Sequence, residues 1–172
     1  MDMLTKGELT ATKNILSKLQ PGQLPFDLFN EICRLTVTPV LEVVCFKKDA
    51  SGKIRVALLR RAADDIYWSN MYHVPGAVMT ANDVNNGLAA LASRICTEKL
   101  KITSFSTPIF VMNSLLTGKR GTEIAVVYMI EIEAASQEAM FYDVDNLPGA
   151  MIEGHRQFIE QALRTYRLSS GT

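Results

Sequence analysis

Residues 58–77 read LLRRAADDIYWSNMYHVPGA, and the way this stretch divides decides the fold. Leu58 and Leu59 close an apolar run that begins at Ile54, so Arg60 and Arg61 stand at the end of a strand. The segment 62–72 is polar and aromatic with no helical or alternating period, and it reads as an irregular loop feeding a short strand. Pro75-Gly76 then marks a tight turn, because proline presets one backbone dihedral and glycine admits conformations closed to other residues.

Upstream of this stretch, residues 40–46 and 54–59 are aliphatic runs around Lys47-Lys48-Asp49-Ala50-Ser51-Gly52, the pattern of a hairpin. Two helices precede it. One covers 6–19 with Leu9, Ile15, Leu16 and Leu19 near one face, and the other opens at Pro25 and Asp27 and runs through Phe29, Ile32 and Cys33. Downstream, 84–100 is expected to be one helix with Leu88, Leu91, Ala92 and Ile95 on its apolar face. Residues 107–116 and 123–132 are strand candidates around the hairpin signal Thr117-Gly118-Lys119-Arg120-Gly121. A short strand at 140–144 and a last helix at 152–166 follow. Helices interrupt the strands instead of following each one. The expected fold class is therefore α/β of the layered α+β kind, a mixed, mostly antiparallel sheet packed between helices. Residues 1–36 read as an N-terminal helical appendage and 37–172 as the main domain, the whole forming one compact unit.

Composition narrows the function classes. Lys plus Arg equals Asp plus Glu at 18 each, so no overall field draws the chain to nucleic acid or to an anionic membrane. The expectation is no nucleic-acid partner and no membrane partner. Cys33, Cys45 and Cys96 are widely spaced, lie among apolar residues and form no C-x-x-C pair, which reads as reduced thiols of a cytoplasmic protein.

The residues Leu58-Leu59-Arg60-Arg61, Tyr72-His73-Val74-Pro75-Gly76-Ala77, the helix 89–100, and Leu147-Pro148 before the last helix resemble, in that order and spacing, a Nudix domain. The resemblance spans residues 37–166. Members of that family typically carry a Pro-Gly-Gly turn and the box G-x5-E-x7-R-E-U-x-E-E-x-G-U. It implies hydrolysis of nucleoside diphosphates linked to another group, with Mg2+ or Mn2+ as the cofactor. Counted from Ala77, the first box acid falls on Asp83; with a short insertion before the helix, Ser93-Arg94-Ile95-Cys96-Thr97-Glu98 stands where R-E-U-x-E-E belongs. Only Glu98 then coincides with a box carboxylate, so the box is degenerate. Carboxylates matter there because a bound divalent ion neutralises charge developing on phosphoryl oxygens and orients the attacking water.

Each candidate carries two readings. Glu98 is a surviving metal ligand and catalytic residue, or the surface partner of Arg94 one turn earlier. Asp83 is a second metal ligand or a helix N-cap. Arg60 and Arg61 bind phosphate or are solvated strand-end charges. Trp68 stacks a ligand ring or packs its own loop. Gly76 and Ala77 bring backbone toward the ligand, or complete an ordinary turn. His73 and His155 read as packed or hydrogen-bonded residues, His73 for want of a second histidine. Glu123, Glu131 and Glu133 are the acids outside the box that would rescue a metal site.

Three functions follow. The first is a weak or non-catalytic binder of a small phosphorylated or nucleotide-like ligand, the second an active divergent hydrolase of a pyrophosphate linkage, and the third a structural or oligomerising subunit, with a homodimer as the associated assembly.

Overall fold

The computed structural model describes residues 4–133 and 140–169. Helix α1 (Lys6–Leu16) opens on a capping box, in which Thr5 Oγ1 accepts the Glu8 N–H at 3.3 Å and Glu8 accepts the Thr5 N–H at 2.8 Å. It ends three residues before Leu19, and none of its residues is buried. Helix α2 (Phe26–Leu35) buries Cys33 and packs on the sheet at the beginnings of the first and sixth strands.

The strands are β1 (Val37–Lys48), β2 (Ile54–Arg60), β3 (Tyr72–His73), β4 (Gly76–Val78), β5 (Ile109–Gly118), β6 (Gly121–Glu131) and β7 (Met140–Asp143). Helix α3 (Leu88–Leu100) lies between β4 and β5, and α4 (His155–Ser169) follows β7. The main path of the sheet is β3-β2-β1-β6-β5, with β4 paired to β1 and β7 to β2. Among the pairings of the seven described strands only the long β1–β6 pairing is parallel, so the mixed, mostly antiparallel sheet is observed. The β1–β2 turn is tied by Asp49, whose carboxylate accepts the Ser51 and Lys53 N–H groups at 2.9 and 3.0 Å. The β5–β6 turn is Lys119-Arg120, between the paired residues Gly118 and Gly121.

Period-two alternation divides the core. Val40, Val44 and Phe46 of β1 join Leu58, Val127, Phe158 and Ile159 beneath α4. Leu41, Val43 and Cys45 join Leu91, Ile95, Leu100 and Ile130 beneath α3. Glu42 thus takes an α4-side position between the apolar Val40 and Val44.

The helix expected over 84–100 was also too long. Residues 81–86 form a 3-10 helix, and α3 begins only at Leu88, because Gly87 has φ of 76° and interrupts the spiral. Leu91, Ala92 and Ile95 are buried as expected, whereas Leu88, in the first turn, is 37% exposed. Gly87 also replaces Asp83 as the N-cap of α3. Among the described residues no helix is long and apolar enough to cross a membrane.

Candidate functional site

Strand β1 changes partner along its length. Phe46, Lys47 and Lys48 pair with β2, whereas Val40, Leu41 and Glu42 pair with β4, Glu42 facing Gly76. A cavity of about 800 Å³ opens at this branch, walled by β1, β4, the 61–73 segment, the β5–β6 turn and the start of α4. The Glu42 carboxylate occupies the space beside Gly76 where a side chain would project, so a β-carbon at position 76 would overlap it. The φ of Gly76 is not positive. A side chain at position 76 would therefore require the Glu42 carboxylate to move.

Glu42 Oε2 is shielded from solvent and has no hydrogen-bond partner. Burial holds the Glu42 carboxyl well above the usual carboxylate range, and the charge of Glu123 pushes the same way, against Arg61, Arg120 and Lys99. Glu42 therefore keeps its proton at higher pH in the folded chain than in the unfolded one. As the pH rises from 4.5 the parent loses stability that Glu42→Gln does not lose. The variant is expected to gain on the parent steadily through neutral pH in thermal melts. Parallel melting curves from pH 5 to 8 would show that Glu42 ionises freely.

Two histidines line the cavity wall. His73 Nδ1 lies 2.7 Å from Val74 O, which accepts its proton, and His155 Nδ1 accepts the Val74 N–H at 3.2 Å. The rings meet edge to face with centroids 6.1 Å apart. Burial lowers His73 to about 4, with Arg61 adding to the effect, and lowers His155 to about 3, helped by His73 and Arg61. Both rings are neutral at pH 7.

Cations and an aromatic ring form the rest of the wall. The Arg61 and Arg120 guanidinium carbons lie 5.5 and 5.3 Å from the Trp68 ring centre. Arg61 Nε is buried without a hydrogen-bond partner, and Arg120 pairs with Glu123. Lys99 lines the cavity from α3. The loop holding Trp68 is pinned by Asp65, which accepts the Tyr67 and Trp68 N–H groups at 3.0 and 2.8 Å. Lys119 Nζ donates to Tyr67 O at 2.9 Å and ties the β5–β6 turn to that loop.

Arg61, Trp68, Gly76 and Ala77 from the sequence reading all line this cavity. Arg60 does not: as the alternate residue it points elsewhere, donating to Asn70 O at 3.2 Å and lying over the Tyr72 ring. Glu98 and Asp83 also stay outside the lining, and Arg94 engages both. Glu98 is 57% exposed, and Asp83 accepts the Thr80 N–H and hydroxyl at 2.8 Å each. Of the acids outside the box, Glu123 enters the cavity, while Glu131 accepts the Tyr166 hydroxyl and Glu133 the Ser104 hydroxyl. The expectation that His73 lacks a second histidine was wrong, because the chain brings His155 to it across 81 positions. Glu42, Lys99 and Arg120 were overlooked as site residues. Glu42 had a signal, a lone acid in the aliphatic run 40–46. All three cysteines are free and buried, and the Cys45 and Cys96 sulfurs lie 3.1 Å apart. Among the described residues, no group of three or more His, Cys, Asp and Glu side chains is placed to hold a metal ion.

No family model and no curated protein matches the chain. Solved structures do. NrtR of Shewanella oneidensis superposes with a TM-score of 0.63 at 16% identity, the match covering 77% of this chain and 65% of NrtR. The chain thus spans under two thirds of that protein. The isolated Nudix domain of NrtR, crystallised with ADP-ribose, superposes with a TM-score of 0.60 at 16% identity over 95% of this chain and 99% of that domain. A MutT/Nudix family protein of Listeria innocua gives 0.62 at 14% identity over 78% and 98%. The chain therefore has a Nudix-like fold.

Proposed function

We propose that the chain binds a small phosphorylated, nucleotide-like ligand in the cavity above Glu42 and turns it over slowly or not at all. One observation carries this reading: Arg61, Lys99 and Arg120 supply charge around Trp68, while Glu98 and Asp83 are held outside by Arg94. A guanidinium presents its donors in a fork that matches phosphate oxygens, and Arg61 Nε is uncommitted. The indole face suits a ligand ring. Free, buried thiols suit a reducing cytoplasm.

The Nudix domain of NrtR binds ADP-ribose, which makes that compound the first probe. Trp68 is the chain's single tryptophan, so its fluorescence reports on the cavity. Saturable quenching by ADP-ribose is expected, with Arg61→Ala weakening it by roughly 10- to 100-fold, the worth of a charged hydrogen bond. No fluorescence change and no calorimetric heat at millimolar ligand would overturn the reading. Cleavage of ADP-ribose by water to AMP and ribose 5-phosphate at roughly 1 s⁻¹ or faster would favour the hydrolase alternative instead, with Glu123 as the cavity carboxylate to replace.

A further inference from the structure

Resting on that reading, we propose that Lys99 stands in for the divalent cation, so that this site holds the ligand's diphosphate without a metal. Helix α3 ends at Lys101 in the left-handed conformation, φ 55°, the backbone that a glycine adopts most readily. With Lys101 at the glycine of R-E-U-x-E-E-x-G-U, Arg94 takes the arginine, and the buried Cys96 and Ile102 take the two apolar positions. This register starts one residue later than a count beginning at Ser93. It puts Glu98 and Lys99 at the adjacent acid pair and Ile95 at the remaining acid.

The geometry supports the substitution. Ile95 is buried in the core beneath α3 and has no donor atom to offer. Glu98 is exposed and paired with Arg94, away from the cavity. Lys99 lines the cavity, and its charge favours the ionised form of Glu42 and the neutral form of His73, the influence a bound cation would exert. The donors that face the cavity do not fit magnesium or manganese. Glu123 is committed to Arg120, Glu42 holds its proton tightly, His73 and His155 each spend Nδ1 on Val74, and the exposed Glu153, which also lines the cavity, belongs to no group of three or more ligating side chains among the described residues. Any divalent ion there would also meet Arg61, Lys99 and Arg120. An ammonium on a flexible stem supplies a compact charge and three donors to the same phosphate oxygens.

The test titrates the full chain with ADP-ribose and with inorganic pyrophosphate, read by Trp68 fluorescence, once in EDTA and once in excess magnesium. The expected result is equal affinity in both buffers. Lys99 is exposed at the cavity rim, so Lys99→Gln should melt like the parent and bind about tenfold more weakly in either buffer. Lys99→Glu should lose binding in EDTA and recover part of it with magnesium. Parent binding that requires magnesium, or Lys99→Gln with unchanged affinity, overturns this inference and leaves the ligand-binding reading intact. Absence of binding in both buffers overturns that reading, and this inference with it.

Discussion

Acidifying the protein from pH 7 to about 4 should cost it on the order of 3 kcal/mol of stability from each of His73 and His155. Each ring has an ordinary value of 6.5 when unfolded and about 4 or about 3 in the native state. Between those limits the unfolded chain binds more protons, so falling pH draws the equilibrium toward it. The stabilising contribution is complete above 6.5 and is lost as the pH falls through the native values. Geometry gives the cause. Both histidines are buried, Arg61 lies close enough to oppose a further charge, and a proton on His155 Nδ1 would break its bond from the Val74 N–H. His73, whose ring meets that of His155 edge to face, also disfavours a proton on His155. Glu42 acts in the opposite sense, gaining native stability as it protonates, so the comparison must be made against variants. In urea denaturation at pH 7, 5.5 and 4.5, His155→Gln should lose its disadvantage relative to the parent as the pH falls. A difference that stays constant with pH would mean that the rings titrate alike in both states.

Gly121→Ala is expected to destabilise the fold by roughly 2 to 6 kcal/mol, combining a strained backbone with an overfilled contact. Gly121 has φ of 124°, and a β-carbon there would lie 2.6 Å from the main-chain oxygen of Cys33. That oxygen belongs to the last turn of α2, so it cannot swing aside as a side chain would. Relief requires moving the helix off the sheet, which also separates Phe29 from Arg120, 5.6 Å apart in the native arrangement. Gly118 is its control: paired with Gly121 across the same turn, it has no positive φ and open space where a β-carbon would go. Gly118→Ala should shift the urea midpoint little. Equal shifts for the two variants would show that the α2 contact contributes nothing.

Much of the architecture was legible because it rests on local chemistry. The Asp49–Gly52 turn, the Lys119-Arg120 tip and the aliphatic runs around them announce two hairpins, since turn residues and period-two burial are properties of short segments. The α3 boundary was misread because Val84 and Leu88 continue a helical period that Gly87 interrupts, and one backbone conformation outweighed the pattern. Arg60 was grouped with Arg61, but at the strand end the two neighbours part, Arg61 toward the cavity and Arg60 toward Asn70.

The sequence alone determined a layered α/β domain, a Pro-Gly strand entry and a helix that carries a single carboxylate, Glu98. Those properties follow from period, turn chemistry and residue identity, each contained within about ten positions of the chain. Tertiary structure decided which charges share the cavity. Glu42 meets Gly76 only because β1 changes partner halfway along, His155 reaches His73 only because α4 starts against β3, and Arg94 pairs with Glu98 and Asp83 outside the cavity while Lys99 stands at its rim. A carboxylate's burial and an imidazole's charge depend on what packs against them, and those neighbours come from segments far away in sequence.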